Sequence, residues 1–191
     1  MSKGRMEAFS DAVIAILITI MVLELRVPEG PEPAALRPLL PVLLTYVLSF
    51  VYLGIYWNNH HHLLHLAGRV NGAILWANLH LLFWLSLIPF VTGWMGETNF
   101  APLPTAVYGL VLLLAALAYL LLELAIIAEQ GPDSRLRAAV GGERKGRFSA
   151  GLYLLAIPLA FVNRWLAVGL FVLVALMWFI PDRRIESAAG D

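Results

Sequence analysis

Six stretches of this chain are mainly apolar and about 20 residues long, the length that spans a bilayer's hydrocarbon core at 1.5 Å rise per residue. They run from about Met6 to Leu25, Pro38 to Trp57, Asn71 to Thr92, Thr105 to Ala128, Phe148 to Val162 and Trp165 to Ile180. The fifth is short by this measure, so it either tilts little or extends upstream through Lys145-Gly146-Arg147. The surplus of apolar side chains has to face lipid: 60% of the 191 residues are hydrophobic and only 14% charged, against about 25% charged in soluble domains. Between the first two stretches, Val27-Pro28-Glu29-Gly30-Pro31-Glu32-Pro33 must be a loop, because its prolines lack backbone donors and bias their predecessors away from helix. The expected fold is all-α, a single six-helix transmembrane domain over residues 1–191. No cysteine is present, which excludes disulfides, thiolate metal sites and cysteine nucleophiles. The formal net charge is zero, so nothing points to nucleic acid.

Lys3 and Arg5 ahead of an apolar run imitate a signal peptide, but no small-residue cleavage site follows, and Asp11 and Glu24 lie within or beside the run. It reads as a retained first span. Counting basic residues by side sets the orientation. With a cytoplasmic N-terminus, that side holds ten: Lys3, Arg5, Arg69, Arg135, Arg137, Arg144, Lys145, Arg147, Arg183 and Arg184. The other side holds three, Arg26, Arg37 and Arg164. Six spans then place both termini in the cytoplasm.

Ionisable groups inside a span cost roughly 2.5–3.5 kcal/mol at mid-helix, so each needs a reason. Arg5, Glu7, Ser10 and Asp11 fall in the first turns of the first span. Glu7 suits the helix dipole. Asp11 lies deeper and is expected to be neutralised by an arginine or histidine of a neighbouring helix. At 100° per residue, Ile16, Thr19, Ile20, Leu23 and Val27 share one stripe, which Arg5, Phe9 and Ala12 continue. Ser10 and Asp11 point elsewhere. The span is apolar all round, so periodicity alone leaves open whether the stripe faces lipid, protein or a pore. Branched side chains stacked about a symmetry axis can form a dewetting constriction.

His60, His61, His62 and His65 cluster at the end of the second span, and His61 and His65 share a helix face. A membrane metalloenzyme would want several such boxes plus carboxylates. With one box, hydrogen bonds across helices or to loop backbone are the simpler use. Asn78 and His80 are further interhelical hydrogen-bond candidates, and Trp84 is expected between helices. Glu123 and Glu129 are placed near the cytoplasmic interface, within reach of the basic loop. A secondary transporter would normally show inverted repeats or broken helices. Neither is visible, although Pro89 and Pro158 can introduce kinks.

The segment Arg5-Met6-Glu7-Ala8-Phe9-Ser10-Asp11 has the form R-x-x-x-F-S-D at the start of a first span. It resembles the signature of the endosomal/lysosomal potassium channel family, transmembrane protein 175, and its bacterial single-repeat relatives. The match continues through Ala12 to Leu25, and the six-span layout agrees. What the resemblance implies is a homotetrameric, potassium-preferring cation channel in the bacterial inner (plasma) membrane, with no cofactor beyond the permeant potassium and other monovalent cations. Four first helices would line the pore. Ile16 would form the constriction, Ile20 and Leu23 further rings, and Thr19 a hydroxyl layer that helps selection. Arg5, Phe9, Ser10 and Asp11 carry the signature. Arg5, Ser10 and Asp11 would belong to an inter-helix polar network with one of His60, His61, His62 or His65.

Overall fold

The computed structural model describes residues 2–131 and 144–179; among these, Arg144 is described by its backbone alone. Arg135, Arg137, Ile180, Arg183 and Arg184 lie outside the described residues, so the positive-side count is described only in part.

Every described element is helical. α1 spans Lys3–Leu23, a 3-10 segment covers Pro33–Leu39, and α2 spans Leu40–Leu66. α3 (Gly72–Ser86) and α4 (Ile88–Glu97) follow, then α5 (Pro102–Gln130), α6 (Arg144–Val162) and α7 (Arg164–Phe179). By length and composition, α1, the 3-10 segment with α2, α3 with α4, α5 and α6 can each cross a membrane. α7, at 16 residues, is apolar but shorter.

Local chemistry sets the ends. Asn71 caps α3 by accepting from the Ile74 amide at 2.9 Å, one of the donors that a helix start leaves open. The third apolar stretch is two helices rather than one. Pro89 has no amide to continue the ladder past Leu85, and the Leu87 amide tightens onto Trp84 O at 3.3 Å instead. The kink anticipated from Pro89 is thus a break between α3 and α4. α2 runs the other way from expectation: it continues nine residues beyond Trp57, through the whole histidine run, to Leu66. Polar side chains do not end a helix whose backbone ladder is intact.

α5 is the central helix, packed along α3, α4, α6 and α7, while α1 lies on α2, α3 and α4. Close approach between α2 and α4 depends on Gly96, where an added Cβ would sit 2.6 Å from Thr45 Oγ1 and 2.8 Å from Val42 Cα. A directional hydroxyl chain ties α2, α4 and α5. The Thr92 hydroxyl donates to Ile88 O at 2.6 Å, so Ser49, 2.6 Å away, must donate to Thr92, and Tyr108, 2.9 Å from Ser49, must donate to Ser49. The Tyr52 hydroxyl donates to Phe171 O at 2.7 Å and links α2 to α7.

Candidate functional site

The two sides of α1 meet different surroundings. Met6, Ser10, Ile14, Leu17 and Met21 recur at helical spacing and are buried against the neighbouring helices. Opposite them, Phe9, Ile16, Ile20 and Leu23 are 50%, 53%, 42% and 81% exposed on the protomer. Arg5, Ala12 and Thr19 are also exposed. The stripe legible from 100° periodicity therefore stands clear of the protomer body along the length of α1. The Thr19 hydroxyl has Ile16 O at 2.9 Å and Ala15 O at 3.1 Å. Its one hydrogen is used within the helix, which leaves oxygen lone pairs on the exposed side.

On the packed side, a second directional chain holds α1 to α3 and α2. The Ser10 hydroxyl donates to Met6 O at 2.8 Å, so it accepts from Asn78 Nδ2 at 2.9 Å. Asn78 then presents Oδ1 to His60 Nε2 at 2.7 Å, and the imidazole must donate from that nitrogen. All three side chains are buried, Ser10, His60 and Asn78 being 0%, 1% and 2% exposed. Of the four histidines, His60 is the one joined to a signature residue by this chain.

Arg5, Ser10 and Asp11 do not meet one another within the protomer. Asp11 accepts a hydrogen bond from the Trp57 indole at 3.1 Å. Trp57 is its hydrogen-bond partner within the protomer, on a helix that runs on well beyond it. The exposed Arg5 makes no bond to another described residue. His61 stacks on Trp57 and on His65, with ring centres 6.5 and 6.4 Å apart, and lies edge-on to His62 at 5.6 Å. Among the described residues no three His, Asp or Glu side chains come together as metal ligands. Lys3 Nζ donates to His65 O at 2.8 Å, tying the start of α1 to the end of α2.

His80 is not an interhelical link, since it accepts from Trp84 Nε1 at 2.8 Å one turn along the same helix. Trp84 itself is half-buried. Glu129 accepts from Asn71 Nδ2, and Glu123 is buried in α5. Of the basic residues expected near them, Arg135 and Arg137 lie outside the described residues, while Lys145 and Arg147 stand in the first turn of α6.

At the far end of α1 the fold gathers acidic side chains into a cluster. Glu24 packs over Gly93, whose missing Cβ would lie 2.9 Å from Glu24 Oε2. Arg26 pairs with Glu97 at 2.9 Å. Burial first, and then the Glu97 carboxylate, push the Glu24 carboxyl above its ordinary value. Around this end lies an open cup of about 880 Å³ whose lining includes Glu24, Arg26, Glu29, Glu32, Glu97 and Asn99. The contact with α4 depends on the α3–α4 break, which helical spacing along α1 cannot register.

The sequence profile described as endosomal/lysosomal potassium channel TMEM175 matches residues 5–89, from the signature arginine to the proline that opens α4. A potassium channel of Chryseobacterium sp. (strain P1-3) is 54% identical over 191 residues, the full length of both chains. This chain belongs to the TMEM175 family. A potassium channel of Streptomyces collinus is 34% identical over 98% of each chain. The crystal structure of a lysosomal potassium-selective channel TMEM175 homolog from Chamaesiphon minutus is 32% identical, covers 93% of this chain and 96% of that one, and superposes with a TM-score of 0.79. The TMEM175 fold is that of an all-helical membrane channel. The family consists of ion channels and not enzymes, which removes the metalloenzyme reading of the histidine run.

Proposed function

We propose that this protein is a potassium channel in which four copies set their α1 stripes around a central pore. The observation that carries the reading is the exposure of Ile16, Thr19, Ile20 and Leu23 on a helix whose opposite side is fixed by packing and by the Ser10–Asn78–His60 chain. A closed cyclic assembly gives every copy the same environment and brings one stripe from each to the axis. Ile16 is the constriction, and Ile20 and Leu23 form wider apolar rings toward the Glu24 end.

Such a ring conducts by wetting and dewetting. Isoleucine offers no ligand to replace a hydration shell, so discrimination between potassium and sodium is moderate. Thr19 adds the only hydroxyl layer among these rings, with its lone pairs available to a passing cation. The acidic cup at the end of α1 raises the local cation concentration. Ser10, Asn78 and His60 hold α1 in register, and Arg5, Phe9 and Asp11 complete the signature face, Asp11 through Trp57. Both termini lie on the cytoplasmic side of a bacterial inner membrane, in line with the basic residues Lys3, Arg5, Arg69, Lys145 and Arg147 at helix ends on that side.

Potassium flux through the purified protein in proteoliposomes tests the proposal. The native chain should carry potassium in preference to sodium. Ile16→Asn should wet the constriction, raise the current and move the reversal potential toward that of a sodium-permeable pore. A silent native protein, or an Ile16→Asn variant with unchanged reversal potential and current, would overturn it.

A further inference from the structure

A second cavity lies away from α1, between α2, α5, α6 and α7. It holds about 310 Å³, at the lower end of the range of ligand pockets. Its lining is mainly apolar, with Ile55, Tyr56, Ala116, Leu120, Tyr153 and Trp178 among the contributors. One lining side chain has a different character. Arg147 is exposed at the start of α6, and no other described residue pairs with its guanidinium. Beside it, Lys145 Nζ stands 5.9 Å over the ring of Trp178, itself part of the wall. An apolar slot between membrane helices thus carries a cationic group, Arg147, at one end, where α6 begins. Basic pockets between helices on the cytoplasmic side suit anionic lipid head groups.

We infer that this cavity is a binding site for an anionic phospholipid, with part of an acyl chain between α2, α5 and α6 and the phosphate on Arg147. The occupant comes from the bilayer itself, because the slot is mainly apolar and its one charged lining residue, Arg147, stands at its end. A chain moving from bilayer to slot gains little hydrophobic free energy, since lipid tails are as apolar as the lining. The tail fills space; the head group supplies the discrimination. Arg147 offers a planar donor fork matched to phosphate oxygens, which a lysine in its place would not reproduce.

The site does not depend on where the pore lies, and its test reads binding rather than conduction. Purified protein is titrated with phosphatidylglycerol or phosphatidylcholine, and bound lipid is counted by native mass spectrometry. The native chain should retain phosphatidylglycerol in preference to phosphatidylcholine. Arg147→Gln should weaken phosphatidylglycerol retention about fivefold and leave phosphatidylcholine unchanged. Ala116→Phe, which fills the slot and keeps the charge, should reduce retention of both. Circular dichroism and size-exclusion profiles matching the native protein ensure that these losses report the site rather than misfolding. Equal retention of the two lipids by the native chain, or phosphatidylglycerol retention unchanged in both variants, overturns the inference.

Discussion

Ile14 and Ile16 stand two residues apart on the same helix with the same side chain, and they occupy opposite environments. Ile14 is 1% exposed, in the buried core on the packed side of α1; Ile16 is 53% exposed on the free side of α1. In a soluble helix, a difference in polarity would mark the two faces. Here both are isoleucine, because lipid, protein interior and a dewetting pore all accept the same residues. The faces are separated by what they touch and not by what they are made of, so their roles come apart only when each is altered.

The largest expected contrast is between Ile14→Ala and Ile16→Ala. Truncating Ile14 leaves a cavity in the buried core beside α1 and should cost about 2–3 kcal/mol. This is the lower part of the range for such deletions, because the transfer contribution is small where the alternative environment is lipid. Ile16→Ala should change protomer stability by less than about 0.5 kcal/mol, yet raise sodium permeability by widening the constriction. Denaturation in mild detergent alongside reversal potentials separates the two effects. Equal stability losses would mean that the Ile16 side is packed after all.

Asn78→Leu comes next. It removes the one side chain that links Ser10 to His60, leaving a buried imidazole N–H and a hydroxyl without their partner. The loss should be about 1–2 kcal/mol in the same unfolding assay. Because the chain fixes how α1 sits, channel opening should change along with stability. The matching Ile16→Ala effect would be on permeation alone.

The readable parts of this molecule are those that one helix determines by itself. Ile16, Thr19, Ile20 and Leu23 fall on one stripe by a fixed 100° step, and the same step turns Ser10 away from it. Apolar length revealed the membrane fold for the corresponding reason: every backbone group in lipid must be satisfied within its own helix. Partners across helices were not legible. Trp57 reaches Asp11 from a helix that continues beyond the apolar stretch that hydropathy delimits, and His60 is distinguished from His61, His62 and His65 only by facing Asn78. Pro89 signalled a distortion, but whether a proline kinks a helix or divides it is settled by the turn before it, here by Leu87 closing onto Trp84.

A smaller effect is expected within the exposed stripe. Thr19→Val keeps the shape and removes the oxygen that distinguishes this layer from the isoleucine rings around it. It should lower the potassium-to-sodium permeability ratio by about threefold, the size of one modest polar contact, with conduction retained. Bi-ionic reversal potentials measure this directly. An unchanged ratio would assign selection wholly to the apolar rings and dissolve the distinction between Thr19 and its neighbours.

The smallest effect lies where the two faces of α1 end together, at Glu24. Burial and the Glu97 carboxylate raise its affinity for protons, while Arg26 is already engaged with Glu97. Glu24 is therefore neutral at a higher pH than a free carboxylate would be, and it gains its charge as pH rises through a window above the ordinary value. On the face of the membrane that carries Glu24, current at low ionic strength should rise with pH through that window, by less than about twofold, since a single charge at the mouth acts only on local cation concentration. Glu24→Gln should remove this rise and hold the current at its low-pH level. Its folding stability should respond in the opposite sense: a raised carboxyl pKa makes the native state weaker as pH increases through the window, so the glutamine variant should be the more stable protein above it. A variant that loses current and stability together would show that Glu24 is a structural contact of α1 with Gly93 rather than a charge presented to the pore.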